Sequence, residues 1–445
     1  MSQPVCCTST PFFRFFLGPS MLDLQFIRDN ADRVRSAMSH KGIGTGSMVD
    51  DLLQADETRR TLIAQTQETQ TRSNTAAKAI GALMKDGRKE EAQRAIAESS
   101  KLKAELKVLE EAQREAQERV DRLLLDIPNV PHESVPVGSS PADNEVAHEW
   151  GTHPTFSFVA KPHWDLLETH RMADFDRGSK VTGAGFPFYM GAGARLQRAL
   201  INFFLDEAVA AGYLEIQAPL VVNEDSARGT GQLPDKEDLM YEAKRDGLFL
   251  IPTAEVPVTN LHRDEIFDAS DLPRRYCGYT PCFRREAGSY GKDVRGLNRL
   301  HQFDKIELVH FVVPEDSYRA LEELREHAES LLRKLELPYR RLLMCTADMG
   351  FTQAKKYDLE VWSAAQERWL EVSSISNFES FQARRMLIRY RPEGERKPKL
   401  VHTLNGSGLA LPRIVAALLE NHQQEDGTIA LPAALQPYFG AKRIG

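Results

Sequence analysis

Between Val49 and Ile127 the chain runs without a proline, with few aromatics and dense charge, and is broken once at Lys85-Asp86-Gly87-Arg88. That pattern predicts two long helices joined by a turn. In the second helix Ala92, Ala95, Ser99, Leu102, Leu106, Leu109, Gln113, Ala116, Val120, Leu123 and Ile127 keep an alternating three-four spacing, which defines a narrow seam. The first answers with Leu52, Ala55, Leu62, Ala76, Ile80 and Leu83 on the same kind of repeat, with threonines and Ser73 between them. An antiparallel coiled-coil hairpin follows. At 1.5 Å per residue each helix would run about 55 Å, too long to fold back usefully onto a globular domain. Such an arm can be a dimerisation rod, a spacer or an RNA probe, and periodicity alone favours the first two. From Arg72 to Lys107 nine Lys/Arg stand against five Asp/Glu, whereas the rest of Asp50 to Asp126 has five against eleven. Positive charge gathered at the distal end is what contact with a phosphate backbone needs, with Arg72, Lys78, Lys101 and Lys103 as candidates. A solvated face is the other reading of the same charge.

At 445 residues two or three domains are expected, and 42% hydrophobic content supplies a sizeable core. No apolar run approaches the length that spans a bilayer, so a soluble protein without a membrane partner is expected. Five cysteines without zinc-ligand pairing fit a reducing cytoplasm and no structural zinc. A net charge of -7 argues against indiscriminate coating of nucleic acid but permits a local basic patch. Residues 1–20 read as a disordered extension, with Met21 an alternative start. Residues 21–130 read as a helical domain whose first helix spans Asp23 to about His40, and 131–155 as a proline-studded linker. Residues 156–445 remain as the main domain. There a helix from Ala194 to Ala211 feeds a strand from Tyr213 to Val222 that contains Pro219, which implies an edge or a bulge.

The stretch Thr280 to Phe311, TPCFRREAGSYGKDVRGLNRLHQFDKIELVHF, reads as a hairpin with strands over Pro281–Arg285 and Phe303–Val312 and a long, mobile, glycine-rich, basic loop between them. Alternation would put Arg284 and Glu286 on one face, and Phe303, Lys305 and Glu307 on one face of the return strand. A ring, cations and acids on one floor suit a nucleotide together with a small zwitterion. A lone Arg-x-Glu would be read as solvated charge on an edge hairpin.

FRREAGSYGKDVRGLNRLHQFDKIE resembles motif 2 of class II aminoacyl-tRNA synthetases, in the form found in bacterial-type seryl-tRNA synthetases. The resemblance continues through PTAEVP, TADMGF, YDLEVW, EVSSISN, FQARRM and HTLNGSGLALPR, and covers Gly185 to Gly440. It implies an α+β fold, a class II catalytic domain on an antiparallel sheet flanked by helices, with the coiled coil as the arm that holds serine tRNA. It implies ATP-dependent activation of L-serine to the adenylate and transfer to the tRNA 3′ end, in a cytoplasmic homodimer joined through the motif 1 helix and strand. Whether a selenocysteine tRNA is also an acceptor stays open.

The resemblance also assigns roles. Thr253, Ala254, Glu255, Arg284, Glu307, Asn405 and Ser407 would bind serine, and Arg284, Arg285, Glu286, Leu300, Phe303, Glu371, Val372, Ser373, Ser374 and Arg413 would bind ATP. Arg284 and Arg413 would be catalytic, Arg299 a helper, and Glu371 with Ser374 would hold Mg²⁺ alongside ATP. Leu411-Pro412 departs from the commoner Val-Gly of motif 3, and proline is tolerated at a first helical position. Two other readings are a stand-alone ligase loading a carrier protein, and a non-catalytic RNA-binding protein of the same fold. The long arm speaks against the first and the intact Arg284, Glu286, Glu371 and Arg413 against the second.

Overall fold

A computed structural model describes residues 22–234, 238–286 and 295–445. The chain forms two compact units, one spanning Ala55–Leu125 and the other joining the residues up to Gln54 with Asp126–Gly445. Residues 1–20 and the middle of the motif 2 loop, 287–294, lie outside the described residues.

The expected first helix is two helices, α1 (Leu24–Asp29) and α2 (Ala31–Lys41). Asp23 caps α1 by accepting from the Gln25 and Phe26 amides, and Gly42, at φ 64°, ends α2 in the left-handed conformation. Lys41, at the end of α2, is buried and donates to the carbonyls of Gly350 (3.0 Å) and Gln353 (2.7 Å).

The helical hairpin consists of α3 (Ser47–Lys85) and α4 (Lys89–Leu124), turning where Gly87 takes φ 75°. Ala92, Ser99, Leu102, Val120 and Ile127 are buried as the spacing requires, and the position expected at Leu123 falls to Leu124. The facing seam is partly polar, with Asp56, Thr69 and Ser73 buried. Arg59 pairs with Asp56 at 2.7 Å and reaches across to Gln117 at 3.3 Å. Arg72, Lys78, Lys101 and Lys103 are all exposed.

The larger unit is built on an eight-stranded sheet of β1 (Glu145–Trp150), β2 (Leu214–Glu215), β3 (Arg274–Phe283), β4 (Gln302–Val312), β5 (Tyr339–Leu343), β6 (Lys355–Ser363), β7 (Arg368–Glu379) and β8 (His402–Ala410), in the order β1-β5-β6-β7-β8-β4-β3-β2. Its pairs are antiparallel except β2 with β3. Helices α5 (Ala192–Ala210), α6 (Ser317–Lys334) and α7 (Leu411–Asn421) cover one face. There Phe203, Leu324 and Leu418 share a core with Ile306, Leu308 and Leu404. Val309 and Phe311 alternate to the opposite face and pack with Ala254, Val258 and Ala383.

Two expectations change. The strand foreseen over Tyr213–Val222 breaks around Pro219, which has no amide to give a ladder, into β2 and a separate strand Val221–Asn223 paired with Leu248–Leu250. The stretch read as a linker contains β1, which pairs with β5 and closes one edge of the sheet.

Candidate active site

On the face away from α5–α7, β4, β7 and β8 form the floor of a cavity of about 390 Å³. Register explains its composition. Glu307 on β4 lies directly opposite Ser407 on β8, and Lys305 lies opposite Ala410 because β8 carries an extra residue between them. On β7 a second bulge matters more: Leu359 pairs with Ser373 and Glu360 with Glu371, which leaves Val372 extra. Glu371 and Ser374, three apart, would face opposite ways on a regular strand, yet both line the cavity.

At one end of the cavity the side chains are buried and mutually bonded. Thr253 donates to Glu307 at 2.7 Å and accepts from Lys305 at 2.8 Å, while Lys305 also pairs with Glu307. Glu255 begins the short helix Glu255–Asn260 and accepts from Gln382 at 2.7 Å and from Asn405. Burial, reinforced by the Glu307 charge, pushes the Glu255 carboxyl up to about 7.

Toward the other end lie the arginines. The strand expected to carry Arg284 and Glu286 stops at Phe283, and Glu286 turns out of it at φ 48°. Both side chains nevertheless line the cavity. Arg284 donates to the Pro252 carbonyl at 3.3 Å, with its guanidinium 5.2 Å from the Phe303 ring centre. Glu286 pairs with Arg299 at 2.8 Å. Arg413, in the first turn of α7, donates to the carbonyls of Glu371 (2.7 Å) and Asn298 (3.1 Å).

Thr253, Glu255, Arg284, Glu286, Leu300, Phe303, Glu307, Glu371 to Ser374, Asn405, Ser407 and Arg413 all border this one cavity. Two expected contacts do not. Arg285 points outward and pairs with Asp238 at 3.2 Å. Ala254 is buried against Val258, Val309 and Phe311, because it caps a helix whose apolar side faces that core. A Cβ on Gly406 would lie 2.4 Å from Leu324 of α6 and one on Gly408 would lie 3.1 Å from Leu308, so both glycines of motif 3 serve packing on the helix side. Lys305, Gln382 and Asn298 belong to the site without having been assigned to it. Lys305 shares a face with Glu307 and was legible; Gln382 and Asn298 act through contacts distant in sequence.

The sheet, the cavity and its arginines define a class II aminoacyl-tRNA synthetase core, and residues 240–422 match the family described as tRNA synthetase class II core domain (G, H, P, S and T). Residues 21–131 match the seryl-tRNA synthetase N-terminal domain. A serine–tRNA ligase of Salinibacter ruber is 63% identical over 96% of this chain and 99% of its own. Two solved structures are similar: a seryl-tRNA synthetase from Pyrococcus horikoshii complexed with ATP (TM-score 0.91, 37% identity, 95% of this chain and 99% of that one) and a cytoplasmic serine–tRNA ligase from Naegleria fowleri in complex with AMP (0.86, 26%, 95% and 98%). The chain belongs to the seryl-tRNA synthetase family, and its activity is ATP-dependent activation of serine and its transfer to tRNA.

Proposed function

We propose that the cavity binds serine at its Thr253–Glu255–Glu307 end and ATP along Arg284, Phe303 and Arg413, in line for adenylate formation. The observation that carries this reading is the continuity of a buried acid cluster with three arginines and an aromatic ring in one cavity. Glu255 and Thr253 take the ammonium, while Glu307 and Ser407, opposite one another across β4 and β8, take the hydroxyl. Alanine would leave those groups unpaired, so the site discriminates against it by about 10⁴ without editing. Arg284 bridges the serine carboxylate and the α-phosphate, Phe303 stacks on adenine and Glu286 accepts from its amino group, which requires Glu286 to exchange its Arg299 partner for the base. The carboxylate oxygen attacks the α-phosphorus and pyrophosphate leaves; a ribose hydroxyl of the terminal adenosine then attacks the adenylate. Both steps ask for alignment and charge neutralisation, and no general base is assigned.

Glu371, half-exposed in the cavity, and the Ser374 hydroxyl are hard oxygen donors on one wall, a donor set that fits Mg²⁺. An ion held there with ATP would neutralise phosphate charge, and Arg413, beside Glu371, would hold the β,γ-phosphates. The exposed Arg72, Lys78, Lys101 and Lys103 contact the backbone of serine tRNA, with selenocysteine tRNA a further acceptor to be tried in the same charging assay. Val209, Leu214, Leu220 and Val221 are exposed apolar residues within the motif 1 region, which supports a homodimer formed there. Among the described residues no helix is long and apolar enough to cross a membrane, and we place the reaction in the cytoplasm. Pyrophosphate exchange with a panel of amino acids tests the assignment of the cavity: exchange with serine is expected, and exchange with another amino acid instead, or with none, would overturn it.

A further inference from the structure

Behind the cavity, on the α7 side, sits a buried polar network that the chemistry above does not use. Glu420, near the end of α7, is fully buried and accepts from five donors: the His163 amide (3.0 Å) and Nδ1 (2.8 Å), the Ser363 hydroxyl, the Ala365 amide (3.2 Å) and the Gln366 side chain (3.0 Å). Burial alone would raise its carboxyl, but the bonds from His163 and Ser363 hold it below the usual carboxylate range. Since Nδ1 donates to this carboxylate, the neutral ring of His163 has its other nitrogen free to accept. Nε2 does so, from the Leu297 amide at 2.9 Å. Gly296 permits the approach, for a Cβ there would lie 2.4 Å from that same Nε2. One residue further on, the Asn298 side chain donates to Gln366 at 3.0 Å, and the Asn298 carbonyl receives Arg413 at 3.1 Å.

We propose that Glu420, through His163 and Gln366, is a positioning residue that fixes the backbone of Gly296–Asn298 and thereby aims Arg413 and Arg299 at the phosphates of ATP. The chain of contacts is continuous. Glu420 sets the tautomer of His163 and the orientation of the Gln366 amide; these two, side by side on the carboxylate, hold the loop at adjacent residues; the loop's own carbonyl then orients the guanidinium on the helix that carries Glu420. Leu297, Asn298 and Arg299 all line the cavity, so a shift of this segment is felt at the nucleotide end and not among Thr253, Glu255 and Glu307. The proposal rests on the assignment of ATP to the arginine end, and its test separates the two.

Glu420→Gln keeps the shape but lets the amide donate to Nδ1 as readily as accept from it, which frees the tautomer; Gln366→Ala removes the second hold at a partly buried position, where folding is least at risk. In pyrophosphate exchange, displacing positioned groups by about an ångström costs on the order of tenfold to a hundredfold. The expected result for both variants is a rise of that size in the ATP KM, with the serine KM within about twofold of the parent and the melting temperature of Gln366→Ala unchanged. Unchanged ATP KM in both folded variants, or an equal rise for serine, would overturn the proposal. Histidine ¹⁵N NMR of the parent protein tests the network without any activity: protonation of His163 at Nδ1 is expected, and protonation at Nε2 would overturn it. Absence of serine-dependent exchange in the parent would count against the site assignment alone.

Discussion

Glu307 is buried with Lys305 as its ion-pair partner and Thr253 as its donor, so the simplest test of it confounds two effects. Truncation to alanine leaves a buried ammonium uncompensated, which costs about 3–5 kcal/mol of stability. Glu307→Gln keeps the volume and a hydrogen-bonding head, and should lower serine-dependent exchange by two orders of magnitude or so while narrowing the preference for serine over alanine. Steady-state kinetics on both amino acids checks this; retained discrimination would remove Glu307 from the hydroxyl site. Glu255 adds a pH dependence. Its carboxyl moves from 4.5 to about 7 on folding, so between those values the folded chain holds a proton that the unfolded chain has released. Stability from this group is therefore greatest below about 4.5 and declines as pH rises to about 7. Serine binding runs the other way, because the ammonium needs the ionised acid. The serine KM should climb as pH falls below about 7, and Glu255→Gln should weaken binding and flatten that limb. A KM independent of pH from 6 to 8 in the parent would sink the assignment.

The same residues show what sequence alone can carry. Phe303, Lys305 and Glu307 were placed on one face by counting, because β4 is regular from Gln302 to Val312. Counting fails for Glu371 with Ser374, since the extra residue Val372 resets the alternation, and only the resemblance to a family joined them. For Arg284 and Glu286 counting names the right side for the wrong reason, since both border the cavity only because the chain turns out of the strand at Glu286. The contacts of Glu420 join residues more than fifty positions apart in sequence and have no periodic signature. Within elements, local preference and packing can oppose each other. Gly193 stands in the first turn of α5, where alanine would improve helix propensity by up to about 1 kcal/mol. A Cβ there would lie 2.1 Å from the Met172 carbonyl oxygen, so the backbone would have to move. Gly193→Ala should therefore lose on the order of 1–3 kcal/mol net, read as a fall in melting temperature; an unchanged or higher value would show that the loop around Met172 yields freely.

For the whole molecule, the two chemistries lie in separate stretches of chain. Every residue assigned to adenylate formation follows Pro252, whereas the basic arm residues lie in Ala55–Leu125, a compact unit by itself. Replacing 55–125 with a short linker should preserve serine-dependent exchange and remove most transfer to tRNA, measured by charging. Neutralising Arg72, Lys78, Lys101 and Lys103 together should weaken tRNA binding and flatten the slope of log K against log salt by about three to four. Equal slopes would return the hairpin to the role of spacer or rod.

The arm's seam has a further consequence. Asp56 with Arg59 and Gln117 stand nearer the roots, and the buried Thr69, Ser73 and Ser99 nearer the turn, between two otherwise apolar stripes, so sliding one helix past the other would strand polar groups against methyls. A hairpin that cannot slip is a ruler. The distance from its roots to its basic turn is set by residue count, about 1.5 Å at a time, and not by tension or by the partner it meets. Such a ruler can be recut. Seven residues added to each helix at matching levels would keep the stripes in phase and carry the turn about 10 Å further from the roots, while four would rotate one stripe out of the seam. A tRNA of fixed dimensions should tolerate neither, yet the first protein should fold as well as its parent.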